Sequence, residues 1–156
     1  MSAMQASEPK PIISALGPLY KTLPDLSYLL IRVSAGGLLL THGIIKLMTT
    51  TVAAHAAAAL ARRGIEPALP LTYLIWFVET VGAICIILGL FTRFFAAAAA
   101  IELAVIAFVV SWHNGFAFSS PGGGWEFPLL WGLVMFAVAL RGGGPYSLDR
   151  KIGREL

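Results

Sequence analysis

The chain has 156 residues, of which 58% are apolar and 12% charged, and its formal net charge is +3. Soluble domains carry about 25% charged residues, so half that fraction indicates a protein whose solvent is lipid. The cations are scattered among hydrophobic runs and form no basic stripe, which excludes a nucleic-acid-binding protein. The single cysteine, Cys85, excludes an internal disulfide and a cysteine-based metal cluster.

Four apolar segments predict four membrane-spanning helices, because about 20 apolar residues cross the hydrocarbon core of a bilayer. These segments are 27–48, 71–91, 94–112 and 125–140. The last is short, and Pro128 near its start suits the first turn of a helix. The predicted fold class is therefore all-α, an integral membrane four-helix bundle.

The connections between these segments differ in character. The alanine-rich stretch before Gly64 predicts a short surface helix over 52–63, between helices 1 and 2. Only Thr92 and Arg93 separate the second and third spans, so these are expected to form a tight antiparallel hairpin. The connection over 113–127 is rich in glycine and aromatic residues, and we expect it to fold back onto the mouth of the bundle.

The distribution of cations predicts the orientation. With the N-terminus in the cytoplasm, two cations, Arg62 and Arg63, lie outside, and seven lie inside: Lys10, Lys21, Arg93, Arg141, Arg150, Lys151 and Arg154. This is the bias that the positive-inside rule describes, so both termini are predicted to be cytoplasmic. The chain then divides into an N-terminal segment over 1–26, a helical bundle over 27–141 and a basic cytoplasmic tail over 142–156. The first segment is either interfacial or a tail without structure.

This topology brings five titratable side chains, drawn from all four spans, to one depth near the outer face. They are His42, Lys46, Glu79, His113 and Glu126. His42 and Lys46 are four residues apart and share one helix face. A carboxylate in the middle of a span costs about 2.5–3.5 kcal/mol, so Glu79 is expected to face a partner or a wet cavity.

A second charged group is predicted at the inner side. It consists of Arg32, Arg93, Glu102 and Arg141, and within it we expect an Arg32–Glu102 pair that satisfies both side chains. Arg93 and Arg141 fit ordinary anchors at the cytoplasmic surface.

Two interpretations of the outer group stay open. In one, Glu79 forms an ion pair with Lys46 or His42 that only fixes the helix register. In the other, the group is a pocket for a redox or proton-exchanging ligand. Haem ligation by two histidines, and a divalent metal on histidine and carboxylate ligands, rank lower because neither has a spacing signature here. We assign no metal ligand.

Five stretches, in order over most of residues 28–153, resemble the DoxX family of small four-helix bacterial membrane proteins. They are Leu30–Leu47, Glu79–Arg93, His113–Phe116, Gly122–Leu130 and Gly142–Gly153. The resemblance puts the following residues on recurring polar and glycine positions of that family: Arg32, His42, Gly43, Lys46, Glu79, Gly89, Arg93, His113 and Glu126. It implies a multi-pass protein of the bacterial cytoplasmic (inner) membrane. Family members are linked with membrane oxidoreductase systems, including thiosulfate–quinone oxidoreductase subunits and a complex in thiol and redox homeostasis. Some relatives carry cysteine pairs, so this chain lacks their dithiol chemistry.

Three functions follow from the resemblance. The first is a subunit of a quinone-linked oxidoreductase, in which Glu79 and His113 accept protons, His42 donates a hydrogen bond to a quinone oxygen, and Lys46 and Glu126 complete the pocket. The second is a non-catalytic scaffold whose tail recruits a soluble redox enzyme. The third is a small-solute transporter, which ranks lowest because the sequence has no evident inverted repeat. The expected partners are the lipid bilayer, a soluble redox enzyme or another membrane subunit, and a second copy of the chain.

Overall fold

The computed structural model describes residues 11–49 and 52–155, and these residues are helical with no β-strand. The helices are α1 (Gly17–Thr22), α2 (Pro24–Met48), α3 (Val52–Ala61), α4 (Ala68–Leu88), α5 (Thr92–Val110), α6 (Glu126–Arg141) and α7 (Leu148–Ile152). Three of them, α2, α4 and α5, are long and apolar enough to cross a membrane. The predicted all-helical membrane protein is therefore confirmed at this level.

The fourth predicted span is a helix, but a short one. α6 has 16 residues, which corresponds to about 24 Å at 1.5 Å per residue. A hydrocarbon core is about 30 Å thick, so length alone does not make α6 a span. The predicted surface helix exists as α3, two residues shorter than expected. Of the N-terminal segment, residues 1–10 lie outside the described part of the chain, and α1 occupies part of the remainder.

The core is built from small residues, and many large apolar side chains face outward. Ala96, Ala99 and Ala107 on α5 are fully buried, whereas Ile101 and Leu140 are more than 60% exposed. Small buried residues let helix backbones approach closely, which is how helices associate in a bilayer where lipid is as apolar as leucine. This inside-out distribution agrees with lipid as the solvent.

The turn between α4 and α5 lies three residues earlier than predicted. α4 ends at Gly89, which has a left-handed backbone (φ 71°), and the N–H of Leu90 donates to the carbonyl oxygen of Cys85 at 2.9 Å. This is the hydrogen bonding of a glycine C-cap. The apolar residues Leu90 and Phe91 extend the hydrophobic run past the cap, so hydropathy alone put the turn at Thr92 and Arg93.

Two π-helical turns interrupt the α-helical pattern, Val78–Gly82 within α4 and Ile106–Val110 at the end of α5. Such turns insert one extra residue, re-aim the side chains they carry and occur frequently at functional sites. Glu79 lies in the first π turn, and the second lies on the neighbouring helix.

The helical body has two ends, which we name by what covers them. The tail end carries the start of α2, the α4–α5 turn, the end of α6 and the segment 142–155. The loop end carries the end of α2 and the connection 111–125. At the tail end, the predicted cytoplasmic tail is folded back: Arg32 donates to the carbonyl oxygen of Tyr146 at 2.5 Å, and the N–H of Asp149 donates to that of Gly89 at 2.8 Å.

Candidate ligand-binding site

Glu79 is held by a two-pronged ion pair with Lys46. The Nζ atom of Lys46 lies 2.5 Å from Oε1 and 2.6 Å from Oε2 of Glu79. Glu79 is only 4% exposed, whereas the lysine side chain is 28% exposed. A charge-assisted pair of this geometry is strong once water is excluded from one partner. Of the two predicted partners for Glu79, Lys46 and His42, Lys46 is therefore the one that pairs with it in the structure.

Gly43 makes this contact possible. It lies one turn before Lys46 on α2, and a Cβ atom added there would lie 2.6 Å from the carbonyl oxygen of Glu79 and 2.6 Å from Cγ2 of Thr80. Only glycine leaves room for the two backbones at this crossing. The close approach lets Lys46, at the end of α2, reach a carboxylate inside the helical body.

Glu102 lies on α5, which packs against the π turn of α4 that carries Glu79, and the two carboxyl groups interact. Both of its carboxyl oxygens are buried, and neither has a hydrogen-bond partner among the residues that the structure describes. As carboxylates, neither group can donate to the other. A buried carboxylate without a partner is costly, so this second carboxyl group is the most unusual feature of the site.

The predicted Arg32–Glu102 pair is wrong. Arg32 is 1% exposed and directs its guanidinium to backbone carbonyl oxygens, at 2.5 Å for Ile86 and 2.9 Å for Ile87, as well as to Tyr146. Glu102 lies too far along α5 to join it. The sequence does indicate that Glu102 lies near Glu79. Glu79 precedes the cap Gly89 by ten residues, and Glu102 follows the first residue of α5 by ten. The α4–α5 hairpin therefore places the two carboxyl groups at the same height.

A cavity of about 230 Å³ adjoins the ion pair. Its polar wall includes His42, Lys46 and Glu79, and its apolar wall includes Leu39, Leu103, Ile106, Phe127 and Trp131. Typical ligand pockets measure about 300–1,000 Å³ and combine apolar walls with a few placed polar groups. The cavity has this composition at a size suited to a single ring.

Trp131 brings an unused donor to this cavity. The residue is 7% exposed, and its indole Nε1 is buried without a hydrogen-bond partner among the described residues. The His42 ring meets it edge-on, with 5.6 Å between ring centroids. Buried indole N–H groups usually find a partner, so Trp131 is a candidate ligand donor that the sequence analysis did not single out.

His113 and Glu126 stand apart from this cluster. Neither residue lines the cavity, and both are exposed, as His42 also is. His113 lies in the short turn Trp112–Asn114 at the end of α5, and Oε2 of Glu126 accepts from the N–H of Phe118 at 3.2 Å. Of the five predicted site residues, the structure thus brings three together, His42, Lys46 and Glu79.

The loop that follows α5 covers the cavity, as its composition predicted. Phe118, Gly123 and Gly124 form part of the wall. The amide of Asn114 donates to the carbonyl oxygens of Gly122 at 3.0 Å and Gly123 at 2.9 Å, which closes the loop on itself. Within the described residues, no group of three or more His, Cys, Asp or Glu side chains is arranged to hold a metal ion.

Apolar helices around a buried ion pair define a multi-pass helical membrane protein. The sequence model of the DoxX family matches residues 27–112, more than half of the chain, and the chain belongs to this family. The match includes α2, α4 and α5, with His42, Lys46, Glu79 and Glu102. No curated protein and no solved structure matched the chain.

Proposed function

We propose that the chain is a subunit of a quinone-linked oxidoreductase in the bacterial cytoplasmic membrane, and that its cavity binds the quinone headgroup. The observation that carries this proposal is the Lys46–Glu79 pair in the wall of a largely apolar cavity. An ion pair that only fixed helix register would need no cavity beside it. Ionisable groups inside a membrane mark ligand or proton pathways by default.

The size and donor set of the cavity favour a single flat ring with two carbonyl oxygens. A volume of about 230 Å³ is below the usual range for larger ligands, which disfavours a nucleotide or haem. The donors available to a carbonyl oxygen include the Lys46 ammonium group, the His42 ring and the unpartnered N–H of Trp131. The residues present therefore fit a quinone headgroup, which would supply a two-electron, two-proton couple.

In this role the residues of the chain bind the ring and exchange protons with it. Glu79 accepts a proton from a ligand hydroxyl group or returns one to a ligand oxygen, and its carboxylate pairs with Lys46 between these events. His42 orients the ligand by a hydrogen bond. His113, exposed at the loop end, suits proton exchange with bulk water. The electrons pass to or from a redox group on a partner protein, since one cysteine cannot form an intramolecular disulfide couple.

The proposal includes the predicted arrangement in the membrane. Four helices form the bundle, with the short α6 accommodated by local thinning of the bilayer. The tail end faces the cytoplasm and the loop end the outer side, as the positive-inside bias of seven cations against two favours. The cavity then opens toward the outer leaflet.

The test is equilibrium binding of a short-chain benzoquinone to the purified protein in detergent. We expect saturable binding that weakens about tenfold or more in Glu79→Gln and in Lys46→Met, because each removes a charged group from the cavity wall. Glu66→Gln is the matched control, since Glu66 is exposed and distant from the cavity. Absence of saturable binding, or equal affinity in Glu79→Gln, would overturn the proposal.

A second candidate function, a scaffold for a soluble redox enzyme, is favoured by the folded tail. Segment 142–155 is attached to the helical body, and it leaves Arg150, Lys151 and Arg154 exposed. A fixed basic surface is a better docking site for an acidic partner than a free peptide, because less conformational entropy is lost on binding. Recovery of a partner enzyme with the wild-type chain, but not with Arg150→Glu/Lys151→Glu, would support this role.

A further inference from the structure

Glu102 is a titratable group near the cavity that the proposed function does not use. It lies on α5, which packs against the π turn that carries Glu79, and its two buried carboxyl oxygens have no hydrogen-bond partner among the described residues. We infer that Glu102 is a proton reservoir behind Glu79: its protonated carboxyl group donates a hydrogen bond to the Glu79 carboxylate, which Lys46 clamps from the other side.

The charge count supports this assignment. Two ionised carboxyl groups and one ammonium group would leave one negative charge uncompensated in an apolar interior, where such a group binds a proton instead. Both hydrogen bonds from Nζ of Lys46 go to Glu79. One proton on the pair makes the cluster neutral and also supplies the missing donor between the carboxyl groups.

In the part of the chain that the structure describes, the surrounding helices offer Glu102 no hydrogen-bond partner. On α2 the titratable groups at this level are Lys46, which is bound to Glu79, and His42, which packs against Trp131. On α6 the titratable residues are only the end residues Glu126 and Arg141. At the loop end, His113 is exposed. The other buried cation, Arg32, donates to backbone carbonyl oxygens at the tail end.

The position of Glu102 defines an order of proton transfer. Glu79 lines the cavity and Glu102 does not, so Glu102 exchanges protons with a ligand only through Glu79. To protonate a ligand oxygen, the proton on Glu102 moves first to the Glu79 carboxylate and then to the ligand, which leaves both carboxyl groups ionised beside Lys46. When a ligand hydroxyl group releases a proton, the same steps run in reverse. This use of the pair rests on the proposed function; the shared proton itself does not.

Infrared spectroscopy of the purified wild-type protein tests the shared proton without any ligand. A protonated carboxyl group gives a C=O stretching band that shifts in D₂O, and we expect this band at neutral pH. We expect it to be lost in Glu102→Gln, and also in Glu79→Gln, because there the remaining carboxyl group ionises opposite Lys46. It should persist in Lys46→Met and in the exposed control Glu66→Gln.

The glutamine variants show whether Glu102 holds its proton because of Glu79 or only because Glu102 is buried. A band that persists in Glu79→Gln would mean that Glu102 holds its proton independently of Glu79, which overturns the inference. Absence of the band in the wild type would also overturn the inference, and so would a band that persists in Glu102→Gln. Size-exclusion chromatography checks that each variant is folded, and Glu102→Asp, which keeps the carboxyl group, should keep the band. The benzoquinone titration on the same samples is independent, so the shared proton and the proposed function fail separately.

Discussion

The two ends of the helical body use the same kinds of polar residue in opposite ways. At the tail end, Asp149 is 1% exposed, and its carboxylate accepts from the N–H of Phe91 at 2.7 Å, the N–H of Thr92 at 3.0 Å and the hydroxyl group of Thr92 at 2.7 Å. Near the loop end, Glu102 has a buried carboxyl group with no such donor among the described residues. The Asp149 carboxylate is satisfied by the fold, whereas the Glu102 carboxyl group is not.

The difference extends beyond the two carboxyl groups. At the tail end, Glu155 accepts from Gly143 at 2.9 Å and pairs with Arg93 at 2.8 Å, and Arg93 also donates to Leu140 at 2.5 Å. At the other end, Trp131 lines the cavity, and its buried N–H has no partner among the described residues. Buried polar groups are usually hydrogen-bonded, so those that are not require an explanation; at the tail end this applies to Nε of Arg32. The comparison therefore separates a structural end from a candidate binding end.

The largest effect is expected at the structural end. Asp149→Ala leaves three donors of the α4–α5 turn without their acceptor, and we expect a loss of about 3–5 kcal/mol in stability. Thermal denaturation in detergent measures it. The exposed neighbour Arg150→Ala is the control and should change stability by less than about 0.5 kcal/mol. Equal melting temperatures for Asp149→Ala and the wild type would contradict the assignment of the tail end as structural, because the tail would then contribute nothing to the stability of the fold.

An intermediate effect is expected where α2 crosses α4. In Gly43→Ala the added Cβ lies 2.6 Å from the backbone of Glu79, and overpacking of this kind costs about 1–3 kcal/mol. The helices must separate, so benzoquinone affinity should fall together with stability. Gly37→Ala on the same helix has no atom within 4 Å of its added Cβ, and alanine there should be neutral or stabilising by up to about 1 kcal/mol. A tolerated Gly43→Ala would show that the Lys46–Glu79 contact does not need the close crossing.

Hydropathy and spacing were enough to predict the membrane class, the hairpin and the shared helix face of His42 and Lys46. They were not enough to end the helices correctly, because Leu90 and Phe91 are apolar although the cap is Gly89. The sequence also did not predict that Asp149 caps α5, since Asp149 lies 57 residues from Thr92 along the chain. Local patterns do not report partners brought together only by the complete fold.

The candidate site shows the same limit. Depth along each helix correctly grouped Lys46 with Glu79, but it assigned Glu102 to the inner group with Arg32, Arg93 and Arg141. Counting from the hairpin turn in both directions would have placed Glu102 level with Glu79. His113 and Glu126 share that end of the molecule, but the π turn Ile106–Val110 and the loop leave them at the surface. Depth is readable from sequence, whereas the direction in which a side chain points near an irregular turn is not.

The smallest effect on stability, and the sharpest test of the comparison, comes from Trp131→Phe. Because its Nε1 has no partner among the described residues, losing the N–H should cost the fold little, within about 1 kcal/mol including the change in volume. Benzoquinone affinity should fall about fivefold, the effect of one hydrogen bond lost in the complex.

Thr92→Val is the matched change at the tail end, where the lost hydroxyl group donates to Asp149. It should lower stability by about 1–3 kcal/mol and leave affinity unchanged. If both variants lost stability but kept their benzoquinone affinity, the Trp131 donor would be structural and the two ends would not differ in function.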